Sequence, residues 1–203
     1  MAESKLPLSP NGRVSFESVY EPSAMEETQE KKYGVTLLFP KNMTGTQLEL
    51  FKKLKASAEA VCKEKFGCAL SGKYKGKPIK NPFRDGAEKE HLDGYSGDVV
   101  FVRFSGRVQP VVVDQNKEPI GRGSMLFYSG CWARVSYTTY AYSKVNNGVG
   151  FGLVNVQKVA DGKPFAAGVS DPNKDFDELS PEEIAAMESD DASESADLDE
   201  LLA

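Results

Sequence analysis

Residues Cys131 to Tyr142 (CWARVSYTTYAY) alternate strictly between two faces. One face carries Trp132, Arg134, Ser136, Thr138, Tyr140 and Tyr142, which are three rings, one guanidinium and two hydroxyls with no acid and no aliphatic side chain. A face built for a core would carry aliphatic groups. Flat rings accept stacked bases whatever the sequence of those bases, and a guanidinium can pair with a phosphate or lie on a base. The plain alternative is an edge that packs against a neighbouring loop and uses the rings for their area.

A second cluster of the same chemistry lies upstream. Ser71 to Tyr95 (SGKYKGKPIKNPFRDGAEKEHLDGY) is dense in glycine and proline and carries Lys73, Lys75, Lys77, Lys80 and Arg84, with Tyr74, Phe83 and Tyr95 among them. Long irregular loops inside a domain are uncommon and are often functional. Cations fix phosphates and rings hold bases, so loop and strand together predict an interface for unpaired nucleic acid formed by Lys73, Lys75, Lys77, Lys80, Phe83, Arg84, Tyr95, Arg103, Arg107, Trp132, Arg134, Tyr140 and Tyr142.

Catalytic chemistry is less well supported. Asp85, Glu88, Lys89, Asp93 and Asp98 could in principle hold Mg²⁺ and an attacking water, which keeps a metal-dependent nuclease as an alternative. No histidine pair, nucleophile elbow or phosphate loop accompanies them. Cys62, Cys68 and Cys131 lack zinc-site spacing and the single histidine, His91, is distant in the chain, so buried free thiols are expected and no metal or other cofactor. Gly148, Gly150 and Gly152 precede strand residues and no helix, which excludes a pyrophosphate site on a helix N-terminus; they are expected to bend a strand or admit a ligand to the backbone.

The elements that position these groups are mostly strands. Arg13 to Tyr20 alternates, with Val14, Phe16, Ser18 and Tyr20 on one side, and Lys32 to Phe39 repeats the pattern. Between Thr46 and Phe66 the period becomes helical, with Leu48, Phe51, Leu54, Ala58, Val61, Cys62 and Phe66 on one face, Thr44 or Thr46 as cap and Gly67 as the stop. Asp98 to Phe104 is a nearly continuous apolar run, read as a central strand. Gln109 to Asp114 and Met125 to Tyr128 are read as a shorter hairpin, and Lys144 to Gly148 as a turn into a final strand over Val149 to Val159. The sum is mainly β: an OB fold, a five-stranded Greek-key barrel, with one long amphipathic helix.

Charge divides the chain into an expected binding domain, 1–170, and a tail, 171–203. The tail holds thirteen acidic residues against one lysine, a net of −12, while the preceding part holds 24 basic and 17 acidic residues, a net of +7, so the overall −5 conceals two opposite halves. With few large apolar groups the tail is expected to be disordered. It is expected to compete with nucleic acid for the basic part and to dock on partners through its apolar clusters, Ile184 to Met187 and Leu198, Leu201 and Leu202; an adaptor that binds no DNA is the remaining alternative. No run reaches the roughly 18 apolar residues of a membrane span and MAESKLPLSP lacks a signal-peptide pattern, so the cytoplasm is the expected location and no membrane partner is expected.

Several separate motifs share one likeness: Asn81-Pro82-Phe83-Arg84-Asp85-Gly86, Leu92-Asp93-Gly94-Tyr95-Ser96-Gly97, Val112-Val113-Asp114, Phe127 to Arg134 (FYSGCWAR) and Gly152 to Gln157 (GLVNVQ). Over about Arg13 to Gly168 the chain resembles phage-encoded single-stranded-DNA-binding proteins of OB fold. The resemblance implies sequence-independent binding and protection of single-stranded DNA in phage replication or recombination, in the cytoplasm of the infected host cell, with an acidic C-terminal tail. It also implies replication or recombination proteins as tail partners; homo-oligomers are left open.

Overall fold

The computed structural model describes residues 5–24, 30–165, 180–183 and 185. The chain divides into two units, Met1–Phe165 and Ala166–Ala203. The first contains β1 (Gly12–Ser23), β2 (Lys32–Pro40), α1 (Gly45–Phe66), the two-residue strands β3 (Lys73–Tyr74), β4 (Lys77–Pro78) and β5 (Arg84–Asp85), then β6 (Val99–Gly106), β7 (Val111–Val113), β8 (Trp132–Tyr142) and β9 (Gly148–Ala160).

Five strands close on themselves. β1 pairs antiparallel with β2 and β8, β2 with β6, and β8 with β9, while β6 and β9 meet in parallel at Phe104–Phe151 and Ser105–Gly152. This is the expected five-stranded Greek-key barrel of OB type. The closing contact is short, and the rest of those two edges is taken by added segments: β5 pairs with β6 at Phe101 and Val100, and β7 pairs in parallel with β9. Inside sit Val14, Val35, Leu37, Val102, Phe104, Val135, Tyr137 and Phe151, all buried. A second small cluster, Leu38, Tyr95 and Phe101, is sealed by Leu92, Val99 and Phe165.

The helix forms as its periodicity requires. It buries Leu54, Ala58, Cys62 and Phe66 and leaves its lysines exposed. Thr44 occupies the N-cap position without a side-chain hydrogen bond, and Gly67 ends the helix at φ 69°, its N–H donating to the Lys63 carbonyl.

Three local expectations change. The alternation of β1 breaks at a bulge, with pairing shifted between Ser15–Thr36 and Ser18–Gly34, so Val14 and Ser15 are both buried and Phe16 turns outward at φ 48°. One inserted residue reverses the phase of everything after it. Met125 to Tyr128 forms no strand; a 3₁₀ turn at Arg122–Ser124 precedes it, and β7 turns back through Gln115–Glu118 onto Pro119 and Ile120 while pairing in parallel with β9. The loop 71–95 is more ordered than its composition predicts, holding the β3–β4 hairpin, β5 and a 3₁₀ turn at Gly86–Lys89.

The expected disorder of the tail and both of its apolar clusters fall largely outside the described residues. Pro181–Glu183 is a helical turn, opened by a reciprocal cap in which the Ser180 N–H donates to Glu183 Oε2 and the Glu183 N–H donates to Ser180 Oγ. Ser-Pro-Glu-Glu is a capping box with proline at the first helical position, a signal that the charge count hides.

Candidate nucleic-acid interface

A groove of about 1160 Å³ runs across the outside of the barrel. Its floor is the outer surface of β2 and β6, where Thr36 stands directly opposite Arg103 and Leu38 opposite Phe101. Lys80, Phe83 and Arg84 border it from the loop, and Tyr140 and Tyr142 from the end of β8. Lys32 opens β2 and Lys144 sits in the β8–β9 turn; both also line the groove. In the OB architecture the ligand face is formed by the second and third barrel strands and the loops at their ends, which is where these residues lie.

Electrostatics favours an anion. The lining includes six cations, Lys32, Lys80, Arg84, Lys89, Arg103 and Lys144, against two carboxylates, Glu17 and Glu88. Arg84 is paired with Glu88 and its guanidinium lies 5.1 Å from the centre of the Phe101 ring. Burial pushes the Arg103 guanidinium below its ordinary value. Lys89 is also pushed down, by burial first and then by Arg84 and Arg103.

The tyrosines are held by glycines. Tyr140 is directly opposite Gly150 and Tyr142 opposite Gly148, and each ring lies across its glycine: a Cβ at 150 would sit 2.9 Å from Tyr140 Cζ. These two glycines thus seat rings that remain 41% and 36% exposed, 6.2 Å apart between centres. Lys80 is stapled to the same place, its N–H donating to Asn147 O while its carbonyl accepts from Val149 N–H.

Among the residues expected from sequence, the groove brings together Lys80, Phe83, Arg84, Arg103, Tyr140 and Tyr142. Phe83 is half-buried, edge-on to Phe51 and Phe151, and serves as a wall. Tyr95 requires correction as a stacking ring: it is 5% exposed, packed on Phe101, and its hydroxyl donates to Ser15 Oγ. Lys73, Lys75 and Lys77 stand on or between β3 and β4, away from the groove lining, and Arg107 is engaged by Glu30 at 2.8 Å.

Trp132 and Arg134 lie at the opposite end of β8 and do not line the groove. Arg134 donates through Nε and Nη2 to Gln157 Oε1, at 2.9 and 2.8 Å. Trp132 packs beside Arg13, which donates to the carbonyls of Gly130 and Lys163 and also covers Phe165. The sequence reading missed Phe16, Lys32, Lys89 and Lys144. Lys32 and Lys144 were accessible from the rule that loops at the ends of the barrel strands face the ligand. Phe16 was hidden by the bulge.

The acidic group considered for Mg²⁺ does not assemble. Asp85 accepts from Lys41 Nζ and Ala87 N–H, which hold its carboxyl below the usual range, and Glu88 is taken by Arg84. Among the described residues no three His, Cys, Asp or Glu side chains are placed to hold a metal ion, and all three cysteines are free thiols.

Residues 8–190 match the family described as Enterobacter phage Enc34, ssDNA-binding protein. The chain belongs to this family. Protein p50 of Acyrthosiphon pisum secondary endosymbiont phage 1 is 32% identical over 174 residues, covering 84% of this chain and 91% of that protein. The fold is shared with the single-stranded DNA-binding protein from bacteriophage Enc34 solved in complex with ssDNA, at a TM-score of 0.64 and 22% identity over 78% of this chain and 88% of that one. It is shared also with gp2.5, a single-stranded DNA binding protein encoded by bacteriophage T7, at a TM-score of 0.53 and 17% identity over 88% of this chain and 100% of that one.

Proposed function

We infer that the chain binds single-stranded DNA without regard to sequence, along the groove over β2 and β6. It is a member of a family of phage single-stranded-DNA-binding proteins, a binding class and not an enzyme. The observation that carries the assignment to the groove is the conjunction of six cations against two carboxylates with two exposed, glycine-seated tyrosine rings in one open channel. Phosphates follow Lys80, Arg103 and Lys144, while Arg84, held by Glu88, borders the path, and bases stack on Tyr140 and Tyr142. Stacking and phosphate contacts are tolerant of base sequence, which suits coating and protecting transiently exposed strands during phage replication or recombination in the cytoplasm of the infected host. Residues 171–203, as a separate acidic arm, compete with DNA for the groove and recruit replication or recombination proteins.

Titration of labelled single-stranded and duplex oligonucleotides at several salt concentrations tests this. Single strands bind preferentially, with a log–log salt slope of about −0.7 per phosphate neutralised and a footprint of roughly 4 to 16 nucleotides. Deleting 171–203 tightens binding, and Mg²⁺ produces no cleavage. Equal affinity for duplex, or tail deletion that weakens binding, contradicts the respective part.

A further inference from the structure

One corner of the groove is built differently from the rest. Phe16 sits on the β1 bulge at φ 48°, a conformation that non-glycine residues rarely adopt, and its ring is 49% exposed. Such outliers persist only where their surroundings impose them, and they gather at ligand sites. The ammonium of Lys89 is held 4.8 Å from the centre of this ring, 5.3 Å from Phe101 and 5.7 Å from Tyr95. Three rings therefore replace part of its hydration, and no carboxylate lies within ion-pair distance of it among the described residues.

Arg103 completes the corner. Its guanidinium lies flat on the backbone of Gly34, where a Cβ would stand 2.9 Å from Nη2, and it is half-buried. Among the described residues it makes no hydrogen bond and no ion pair, although a guanidinium offers five N–H donors. By contrast Arg84, Arg107 and Arg122 each have a glutamate partner. Thr36 faces Arg103 across the strands and Ser105 follows on β6; both line the groove and bring hydroxyl donors to the same floor.

We propose that Phe16, Lys89 and Arg103 form one nucleotide subsite of the groove, in which a base stacks on the open face of Phe16 while its phosphate is clamped between the Lys89 ammonium and the Arg103 guanidinium. The subsite rests on the reading of the groove as a single-stranded-DNA path. It adds a stacking station on β1, and it gives the sequence's isolated Lys89 a role in binding in place of catalysis. Two partly dehydrated cations that make no ion pair are costly, the one carboxylate that acts on Lys89 being Glu88, held by Arg84, and a shared phosphate relieves both.

The test uses the full chain and oligothymidylates. Phe16→Asn suits the left-handed backbone and removes the ring; it lowers affinity about 5- to 100-fold with an unchanged salt slope. Lys89→Met and Arg103→Met reduce the slope, and because both hold one phosphate, the double variant loses about 0.7 in total instead of about 1.4. In the unaltered protein, light-induced crosslinking to oligonucleotides carrying 5-iododeoxyuridine marks Phe16, a readout that needs no folded variant. Wild-type affinity in Phe16→Asn, a double-variant slope that is unchanged or falls by about 1.4, or crosslinks confined to Tyr140 and Tyr142 overturns the subsite. Failure of the wild-type chain to bind any single strand overturns the groove reading itself, which separates the two.

Discussion

Tyr140 and Tyr142 at one end of β8 and Trp132 and Arg134 at the other share one face of one strand, with the same alternation and the same chemistry. Their neighbours differ. At the Tyr end the opposing residues are Gly150 and Gly148, so the rings lie low and open beside Lys80 and Lys144, which make no salt bridge among the described residues. At the Trp end the cations of the sheet have internal partners: Arg134 with Gln157, Arg13 with two carbonyls, and the buried Lys158 with Asp161 at 2.6 Å, which also accepts from the Tyr128 hydroxyl. A cation already satisfied by the protein has little left to offer a phosphate, so residue type on a face is only half of a binding signal. The other half is whether the fold has already consumed it.

The contrast can be broken most forcefully at the tyrosines. Tyr140→Ala with Tyr142→Ala should cost about 30-fold or more in single-strand affinity, since each stacked base contributes roughly 1 to 3 kcal/mol, and titration should show an unchanged salt slope. Arg13→Met acts on the other end and on stability instead: losing two charge-assisted hydrogen bonds should remove on the order of 2 kcal/mol in denaturant unfolding, with DNA affinity retained per folded molecule. Gly150→Ala pushes the Tyr140 ring out of its seat; a several-fold loss of affinity with little change in Tm is expected, and a protein that binds as before would show that the seat is irrelevant.

Smaller effects sharpen the same contrast. Lys89 is held below the ordinary lysine range in the free protein, by burial and then by Arg84 and Arg103, and a bound phosphate reverses that shift. Its contribution is therefore complete below its free-state pKa and is lost as pH rises from there to the higher pKa of the bound state, so affinity should fall as pH rises through that window and Lys89→Met should flatten the fall. The smallest effect belongs to Trp132→Phe: affinity within about twofold of wild type, and in the native chain weak quenching of Trp132 fluorescence by oligonucleotide, because the indole stands outside the groove.

Much of this was legible in the residues. The patterns of β1, β2, β6, β8 and β9 marked five barrel strands and that of α1 a helix, because the run of apolar residues records what each element buries. Of the residues on the tyrosine face and the basic loop, Lys80, Phe83, Arg84, Tyr140 and Tyr142 come together in one groove. What sequence could not supply was partnership. Nothing in the run of residues distinguishes Arg103, with no acid near it, from Arg107, tied to Glu30, and nothing separates exposed Tyr142 from buried Tyr95. Phe16 was misread because a single bulge inverts the faces of a strand, and the place of Gly148 and Gly150 under two rings was hidden because those rings lie on the neighbouring strand.

The central claim is that the groove end of β8, and not the Trp132 end, meets DNA. Hydrogen exchange of the full chain, followed by mass spectrometry with and without an oligothymidylate, tests it most directly. The account predicts new protection at 80–89, 99–106 and 138–151, with 128–134 and 157–163 unchanged. Protection centred on 128–134 and 157–163, with the segments around the groove exchanging as before, would contradict it.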